Sequence, residues 1–72
     1  MPDWVPTRRR QIGDRIRTAR RTAGYSQVQL AEQVGRDHKT IHRWETAATA
    51  PDLNDLLLIA DVLGVPLADL VR

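Results

Sequence analysis

The chain has 72 residues, no cysteine and a formal net charge of +2. A chain of this length forms one domain with a small core, and without cysteine it has neither a disulfide framework nor a thiolate metal site. Because no apolar run could span a membrane and residues 1–15 lack the apolar segment of a signal peptide, we expect a soluble, cytoplasmic protein without membrane contact.

The charges are distributed unevenly along the chain. Residues 1–49 contain ten Lys or Arg and five Asp or Glu, whereas residues 50–72 contain only Arg72 against four Asp. The basic half is therefore suited to facing a polyanion. The alternative is a solvated domain whose uneven charge serves no partner.

The N-terminal end divides into an arm and a first helix. We expect residues 1–7 to be a flexible arm, with Trp4 either covering the domain or disordered. A helix is predicted over residues 8–23, with Gly24 as the residue that ends it. Its apolar residues follow a single helical stripe: Ile12, Ile16, Ala19 and Ala23.

The segment YSQVQLAEQVG predicts a second, well-capped helix. Ser26 and Gln29 form an S-x-x-Q capping box, and Tyr25 precedes it where it can pack on Leu30. Gly35 ends this helix. The side chains predicted to be buried are Leu30, Ala31 and Val34.

Three more helices complete an all-α fold in which residues 8–72 form one domain. A polar helix over about residues 37–46 has Asp37 as its predicted N-cap, and a short last helix begins at Pro66. Between them, Pro51 and Asp52 open a fourth helix that Gly64 ends. Its inward-facing residues are predicted to be Leu53, Leu56, Leu57, Ala60 and Leu63.

The second and third helices meet the spacing requirements of a helix-turn-helix. Counting Gln27 as position one, the small residue required at position five is Ala31, and the turn glycine required at position nine is Gly35. Ile41 and Trp44 stand at positions fifteen and eighteen, where the outer helix must insert into the core. In such a unit the second helix enters the major groove of DNA.

The chain resembles the phage-repressor/Cro class of helix-turn-helix domains, also called the XRE family, from Ile12 to Leu70. The matching segments are IGDRIRTARRTAGYSQVQLAEQVG, TIHRWE and LNDLLLIADVLGVPLADL. The resemblance implies a compact five-helix repressor-like bundle that reads double-stranded DNA with helices 2 and 3. It also implies an ion pair between Arg20 and Glu45, and Glu45 needs such a partner because its charge is unfavourable at a helix C-terminus.

The resemblance also implies which side chains contact DNA. Gln27 would bind a phosphate, and sometimes also a base through helix 3; the alternative is an exposed residue at the start of helix 2 without a DNA contact. Arg43 and Lys39 can bind guanine, Arg36 in the turn is expected to reach phosphate, and His38 and Thr40 complete the groove-facing set. His42 stands at the margin of this set.

The cluster Arg8, Arg9 and Arg10 opposes the dipole of a helix that starts there. Either the helix begins later, or the cluster follows the phosphate backbone; a frayed, solvated tail is the alternative. These contacts would compensate for the loop TAATA, which stands where the family commonly has a glycine and a basic, phosphate-gripping loop. His38 and His42 have zinc-ligand spacing but no third ligand, so neither a metal nor a cofactor is expected.

Leu58 and Val62, four residues apart, are predicted to form an outward apolar pair on the fourth helix. We expect a homodimer that uses this face or residues 65–71, since such domains read two half-sites about one helical turn apart.

The leading hypothesis is a sequence-specific DNA-binding transcriptional regulator. The alternative is a protein-interaction module, such as the antitoxin of a toxin–antitoxin pair, with a protein as its partner. An enzyme is not expected, because the chain has no phosphate-binding glycine motif and no cysteine, and its single serine, Ser26, serves as a cap.

Overall fold

The computed structural model describes all residues, 1–72, and contains five α-helices and no strand. The helices are α1 (Trp4–Thr22), α2 (Gln27–Val34), α3 (His38–Glu45), α4 (Leu53–Leu63) and α5 (Leu67–Val71). The predicted all-α class is confirmed. No helix is both long enough and apolar enough to cross a membrane.

The predicted start of α1 at residue 8 is wrong, because the helix begins at Trp4. Pro6 falls in the first turn, where its missing N–H costs nothing. Asp3 precedes the helix without a side-chain capping hydrogen bond. Arg8–Arg10 therefore lie beyond the first turn, and the expected conflict with the helix dipole largely disappears. At the other end the helix stops at Thr22, and Ala23 is an exposed cap residue.

Side-chain caps fix the starts of the three central helices. Ser26 accepts a hydrogen bond from the backbone N–H of Gln29 at 3.0 Å, and Gln29 Oε1 accepts one from the backbone N–H of Ser26 at 2.8 Å. Asp37 caps α3 through the N–H of Thr40 at 2.8 Å. Asp52 and Asp55 form a second capping box at the start of α4, which the sequence analysis did not predict.

All five helices contribute to one hydrophobic core. Ile16, Leu30, Ile41 and Ile59 are completely buried, and Trp44 is 4% exposed. Helix α1 packs against α3, α4 and α5, while α2 packs against α3 and α4. The pair α2–α3 is thus held between α1 on one side and α4 on the other.

The predicted buried face of α4 is wrong in part. Leu53 and Leu57 are 63% and 48% exposed, whereas Ile59 is completely buried and Asp55 is 5% exposed. The sequence LNDLLLIADVL carries apolar residues on every side, so its periodicity does not define one inward face.

Candidate nucleic-acid interface

The turn between α2 and α3 has the geometry that the predicted register requires. Gly35 ends α2 in the left-handed region at φ 72°, ψ 31°. The N–H of Arg36 then donates to the carbonyl of Ala31 at 2.9 Å, and Asp37 starts α3 immediately. The turn therefore consists of only three residues, Gly35, Arg36 and Asp37, and this short connection fixes the angle between α2 and α3.

Helix α3 divides into a buried edge and an exposed polar face. Ile41, Trp44 and Glu45 are buried. The exposed side chains are those of His38, Lys39, His42 and Arg43. Thr40, expected on the outer face, is partly buried. The Lys39 and Arg43 side chains on this face are hydrogen-bond donors, and those of His38 and His42 can also donate, so the face suits a partner that presents acceptors.

Glu45 holds the C-terminal end of α3 against α1. Its carboxylate accepts two hydrogen bonds from Arg20, at 2.6 Å from Nε and 3.0 Å from Nη2. The Arg20 side chain is 8% exposed and that of Glu45 is completely buried. The ion pair that the resemblance implied is therefore present, bidentate and largely desolvated. Arg20 Nη1 also donates to the carbonyl of Tyr25 at 2.9 Å, which ties the start of α2 to the same group.

Two further side chains contact the Glu45 carboxylate, and neither contact was predicted from the sequence. Arg17 Nε lies 3.4 Å and Gln27 Nε2 lies 3.3 Å from Glu45 Oε1. Gln27 Nε2 also lies 3.4 Å from Nδ1 of His42. The first side chain of α2 is thus oriented by two residues of α3, and His42 contacts Gln27, a residue predicted to bind DNA.

The pKa of Glu45 reflects opposing influences. Burial of the carboxylate alone would raise its pKa. The hydrogen bonds from Arg20, Gln27 and Arg17, together with the positive charge of Arg20, outweigh burial and lower the pKa below its ordinary value. At the other end of α3, hydrogen bonds from Thr40 lower the pKa of the Asp37 carboxyl, aided by the charges of Arg43 and His38. Both carboxylates therefore favour the charged state in which they hold α3.

Gly13 sets the distance between α1 and α3. A Cβ at this position would lie 2.7 Å from the backbone oxygens of both Trp44 and Glu45. Only glycine therefore allows α1 to approach the end of α3 this closely. A glycine inside a helix is unfavourable by about 1 kcal/mol relative to alanine, which is the sequence signal that could have indicated a close approach.

Arg36 is paired within the chain. Its Nε and Nη2 lie 3.1 and 2.8 Å from Asp55 Oδ1, and the side chains of Arg36 and Asp55 are 46% and 7% exposed. Asp55 also belongs to the capping box of α4, so this ion pair connects the turn before α3 to the start of α4. The residue expected to reach phosphate thus has a structural partner, and half of its side chain is still exposed.

The three arginines of the N-terminal cluster have different environments. Arg9 is partly buried, and its Nη2 donates to the carbonyl of Ala47 in the loop after α3 at 3.3 Å. Arg10 is exposed and donates to Thr7 Oγ1 at 3.3 Å, and Arg8 is exposed. The cluster is therefore not one continuous surface.

The expected apolar pair on α4 is divided between surface and interior. Leu58 is 46% exposed, whereas Val62 is partly buried against the core. The exposed apolar residues of α4 are Leu53, Leu57 and Leu58. No group of three or more His, Cys, Asp or Glu side chains is arranged to hold a metal ion.

Comparison with known proteins places this arrangement in a family. A model described as a helix-turn-helix domain matches residues 11–72. An uncharacterised HTH-type transcriptional regulator, YonR, from an SPbeta prophage of Bacillus subtilis is 32% identical over 54 residues. That match covers 75% of this chain and 50% of the relative, so the chain spans about half the length of the curated relative.

Two solved structures share the fold closely. The restriction-modification controller protein C.AhdI of Aeromonas hydrophila superposes with a TM-score of 0.80 at 28% identity, covering 85% of this chain and 92% of that one. The P22 c2 repressor, solved in complex with a synthetic operator, superposes with a TM-score of 0.79 at 30% identity and the same coverage. The chain therefore belongs to the helix-turn-helix domain family and has the repressor-like five-helix form that its sequence resemblance indicates.

Proposed function

We propose that this domain binds double-stranded DNA by inserting α3 into the major groove and that it acts as a sequence-specific transcriptional regulator. One observation carries the proposal: α3 exposes His38, Lys39, His42 and Arg43, while its opposite edge is fixed in the core through Glu45. A rigidly held helix with exposed donors is suited to reading base edges. The operator bound to the P22 c2 repressor and the regulator name of the prophage relative support the same function.

Each of the exposed side chains has a role in this proposal. Arg43 donates two parallel hydrogen bonds to guanine, and Lys39 donates as a single charged group. Gln27, held by Glu45 and His42 at the start of α2, contacts a phosphate beside the groove. Thr40 and His38 contact a base or a phosphate at the start of α3, and the exposed half of Arg36 faces phosphate.

The experiment is selection of bound sequences from random duplexes, followed by affinity measurements on the selected site. We expect Arg43→Ala to lose binding while its circular dichroism spectrum and thermal melting stay close to those of the unmodified protein. Gln27→Ala should also lose binding and keep its helical circular dichroism spectrum, but it should melt at a lower temperature because it removes a hydrogen bond to the buried Glu45 carboxylate. Lys39→Ala should reduce affinity for the selected site with a smaller change of base preference. Binding by Arg43→Ala that equals binding by the unmodified protein would show that α3 is not the reading helix.

We further propose that the domain binds DNA as a homodimer with the exposed α4 face, including Leu58 and the neighbouring Val62, at the dimer contact. Three leucines of α4 are exposed, Leu53, Leu57 and Leu58, and exposed apolar side chains that lie together on a surface are typical of an interaction site. Sedimentation at about 100 µM should then give a dimer. A monomer at that concentration would exclude this dimer.

A protein-interaction module is the second candidate function. The same exposed leucines, Trp4 at 64% exposure and the acidic residues 50–72 favour it. Purification of the chain together with a small protein partner, and failure to select any DNA sequence, would support it over DNA reading.

A further inference from the structure

We propose that three arginines of α1 form a second DNA-binding element, which contacts the phosphate backbone beside the groove that α3 reads. These are Arg10, Arg17 and Arg21, together called the arginine ridge below. The inference rests on the proposed DNA-binding function and adds residues outside the helix-turn-helix unit. It also separates Arg10 from its neighbours Arg8 and Arg9.

The ridge follows from the helical geometry of α1. At 3.6 residues per turn, positions 10, 17 and 21 fall within about 40° of one another around the helix axis. They span roughly 16 Å along it, and one DNA strand carries a negative charge about every 3.4 Å. Arg10 and Arg21 are exposed, and the side chain of Arg17 is 34% exposed. The ridge is thus a line of three cations along one side of α1 that is long enough to reach several phosphates.

Arg17 fixes the position of the ridge relative to α3. Its Nε and the Nε2 of Gln27 approach the same oxygen of Glu45, at 3.4 and 3.3 Å. Gln27 of α2 also contacts His42 on the exposed face of α3. Because Arg17 and Gln27 share one oxygen of Glu45, Arg17 lies at the border of that face. Nη1 and Nη2 of Arg17 make no hydrogen bond within the chain and are available to an anion.

The other two members extend this border in both directions. Arg21 lies one turn after Arg17, next to the turn that leads into α2, and makes no side-chain hydrogen bond within the chain. Arg10 lies two turns before Arg17, near the loop after α3 that Arg9 contacts through Ala47. Asp14 lies between Arg10 and Arg17 on the same side of α1 and is exposed, so three arginines and one aspartate leave this side with a net charge of +2.

The remaining cations cannot provide this contact. Between Arg43 and Arg72 the chain has no Lys or Arg, so neither the loop after α3 nor α4 can neutralise phosphates. Arg36 is paired with Asp55, and Arg20 is buried against Glu45. Arg8 lies on the opposite side of α1 from the ridge, and Arg9 is partly buried. Arg15 is partly buried and lines the groove between α1 and α5, so the free positive charge of α1 beside α3 is concentrated on the ridge.

The test uses a mixed-sequence 20-base-pair duplex, because non-specific binding is almost entirely electrostatic. Dissociation constants are measured at a series of salt concentrations for the unmodified protein, for Arg10→Gln, Arg17→Gln and Arg21→Gln, and for the triple variant. Arg8→Gln and Arg72→Gln remove the same charge away from the ridge and serve as matched controls. Circular dichroism verifies that each variant is folded.

We expect each ridge substitution to reduce the slope of log K against log salt by about 0.9, and the triple variant to show roughly the sum of the three. The two controls should keep the slope of the unmodified protein. An unchanged slope in the folded triple variant, or equal losses in Arg8→Gln, would overturn the ridge. If the unmodified protein itself binds no duplex, the proposed function fails, and this result is distinguishable from a ridge that makes no contact.

Discussion

At the scale of single residues, a few positions have backbone conformations or contacts that restrict which side chain can stand there. Ala47 in the loop after α3 has φ 61° and is the only non-glycine residue with a positive φ. An L-residue in this region is unfavourable by roughly 1–2 kcal/mol because its Cβ crowds the backbone. The loop TAATA thus follows a path that favours glycine while containing none, and its carbonyl at Ala47 accepts the hydrogen bond from Arg9.

We therefore expect Ala47→Gly to stabilise the domain. Relief of the left-handed alanine outweighs the greater freedom of glycine in the unfolded chain, and the net gain in the free energy of unfolding should be about 0.5–1 kcal/mol. Urea unfolding measures it. Ala48→Gly, one residue later at a position without positive φ, is the matched control and should lose about 0.5–1 kcal/mol. Equal losses in both variants would show that the Ala47 conformation is not strained.

At the scale of elements, the sequence predicted the capped ends of α2, α3 and α4 better than the start of α1 or the buried face of α4. Ser26, Gly35, Asp37 and Gly64 act within a few residues of themselves, so their local chemistry is sufficient to place the boundaries of α2, α3 and α4. The buried face of α4 depends on distant partners. Asp55 is buried where it forms an ion pair with Arg36. Because apolar residues occur on every side of α4, the sequence alone does not show which side faces the core.

The candidate site shows the same division. The register of the helix-turn-helix follows from residue types at fixed spacings, and the family resemblance implies the Arg20–Glu45 pair, so both could be predicted. The contacts of Arg17 and Gln27 with Glu45 depend on how α1 crosses α3, a geometry that Gly13 determines and that periodicity does not contain.

The crossing of α1 over α3 makes a prediction about Gly13. In Gly13→Ala the new methyl group would meet two backbone oxygens at 2.7 Å, and backbone atoms cannot move aside by rotating. The helices must separate, which weakens the bonds between Arg20 and Glu45. We expect a loss of about 1–3 kcal/mol in the free energy of unfolding, although alanine is the better helix former.

Thr18→Ala, on the exposed side of α1, is the comparison for this prediction and should be neutral or slightly stabilising. If Gly13→Ala gains stability as Thr18→Ala does in urea unfolding, the close approach of the two helices would be contradicted.

At the scale of the whole molecule, one buried carboxylate connects three of the five helices. Glu45 at the end of α3 accepts hydrogen bonds from Arg17 and Arg20 of α1 and from Gln27 of α2. Removing one partner of a buried ion pair leaves an uncompensated charge and costs about 3–5 kcal/mol. A small core depends strongly on such a group, because the net stability of a domain is typically only about 5–15 kcal/mol.

The lowered pKa of Glu45 predicts how the stability of the domain depends on pH. Because its pKa is lower in the folded state than the ordinary value of 4.5, the unfolded state binds more protons in this range. The stabilisation is fully present above about pH 4.5 and is lost as the pH falls through the lower folded-state value. We expect the free energy of unfolding to be nearly constant from about pH 7 to about pH 5 and to decrease steeply below it.

The double variant Arg20→Met with Glu45→Leu isolates this contribution. It replaces the buried pair by apolar groups of similar size, a change that is often neutral or stabilising at neutral pH. Every other carboxyl group still titrates in it, so the difference between the two acid profiles belongs to the Glu45 network. In urea unfolding between about pH 6 and about pH 3, the double variant should lose less stability than the unmodified protein. Parallel profiles would mean that the acid sensitivity of this domain arises from its exposed carboxylates and that Glu45 gains nothing from its three partners.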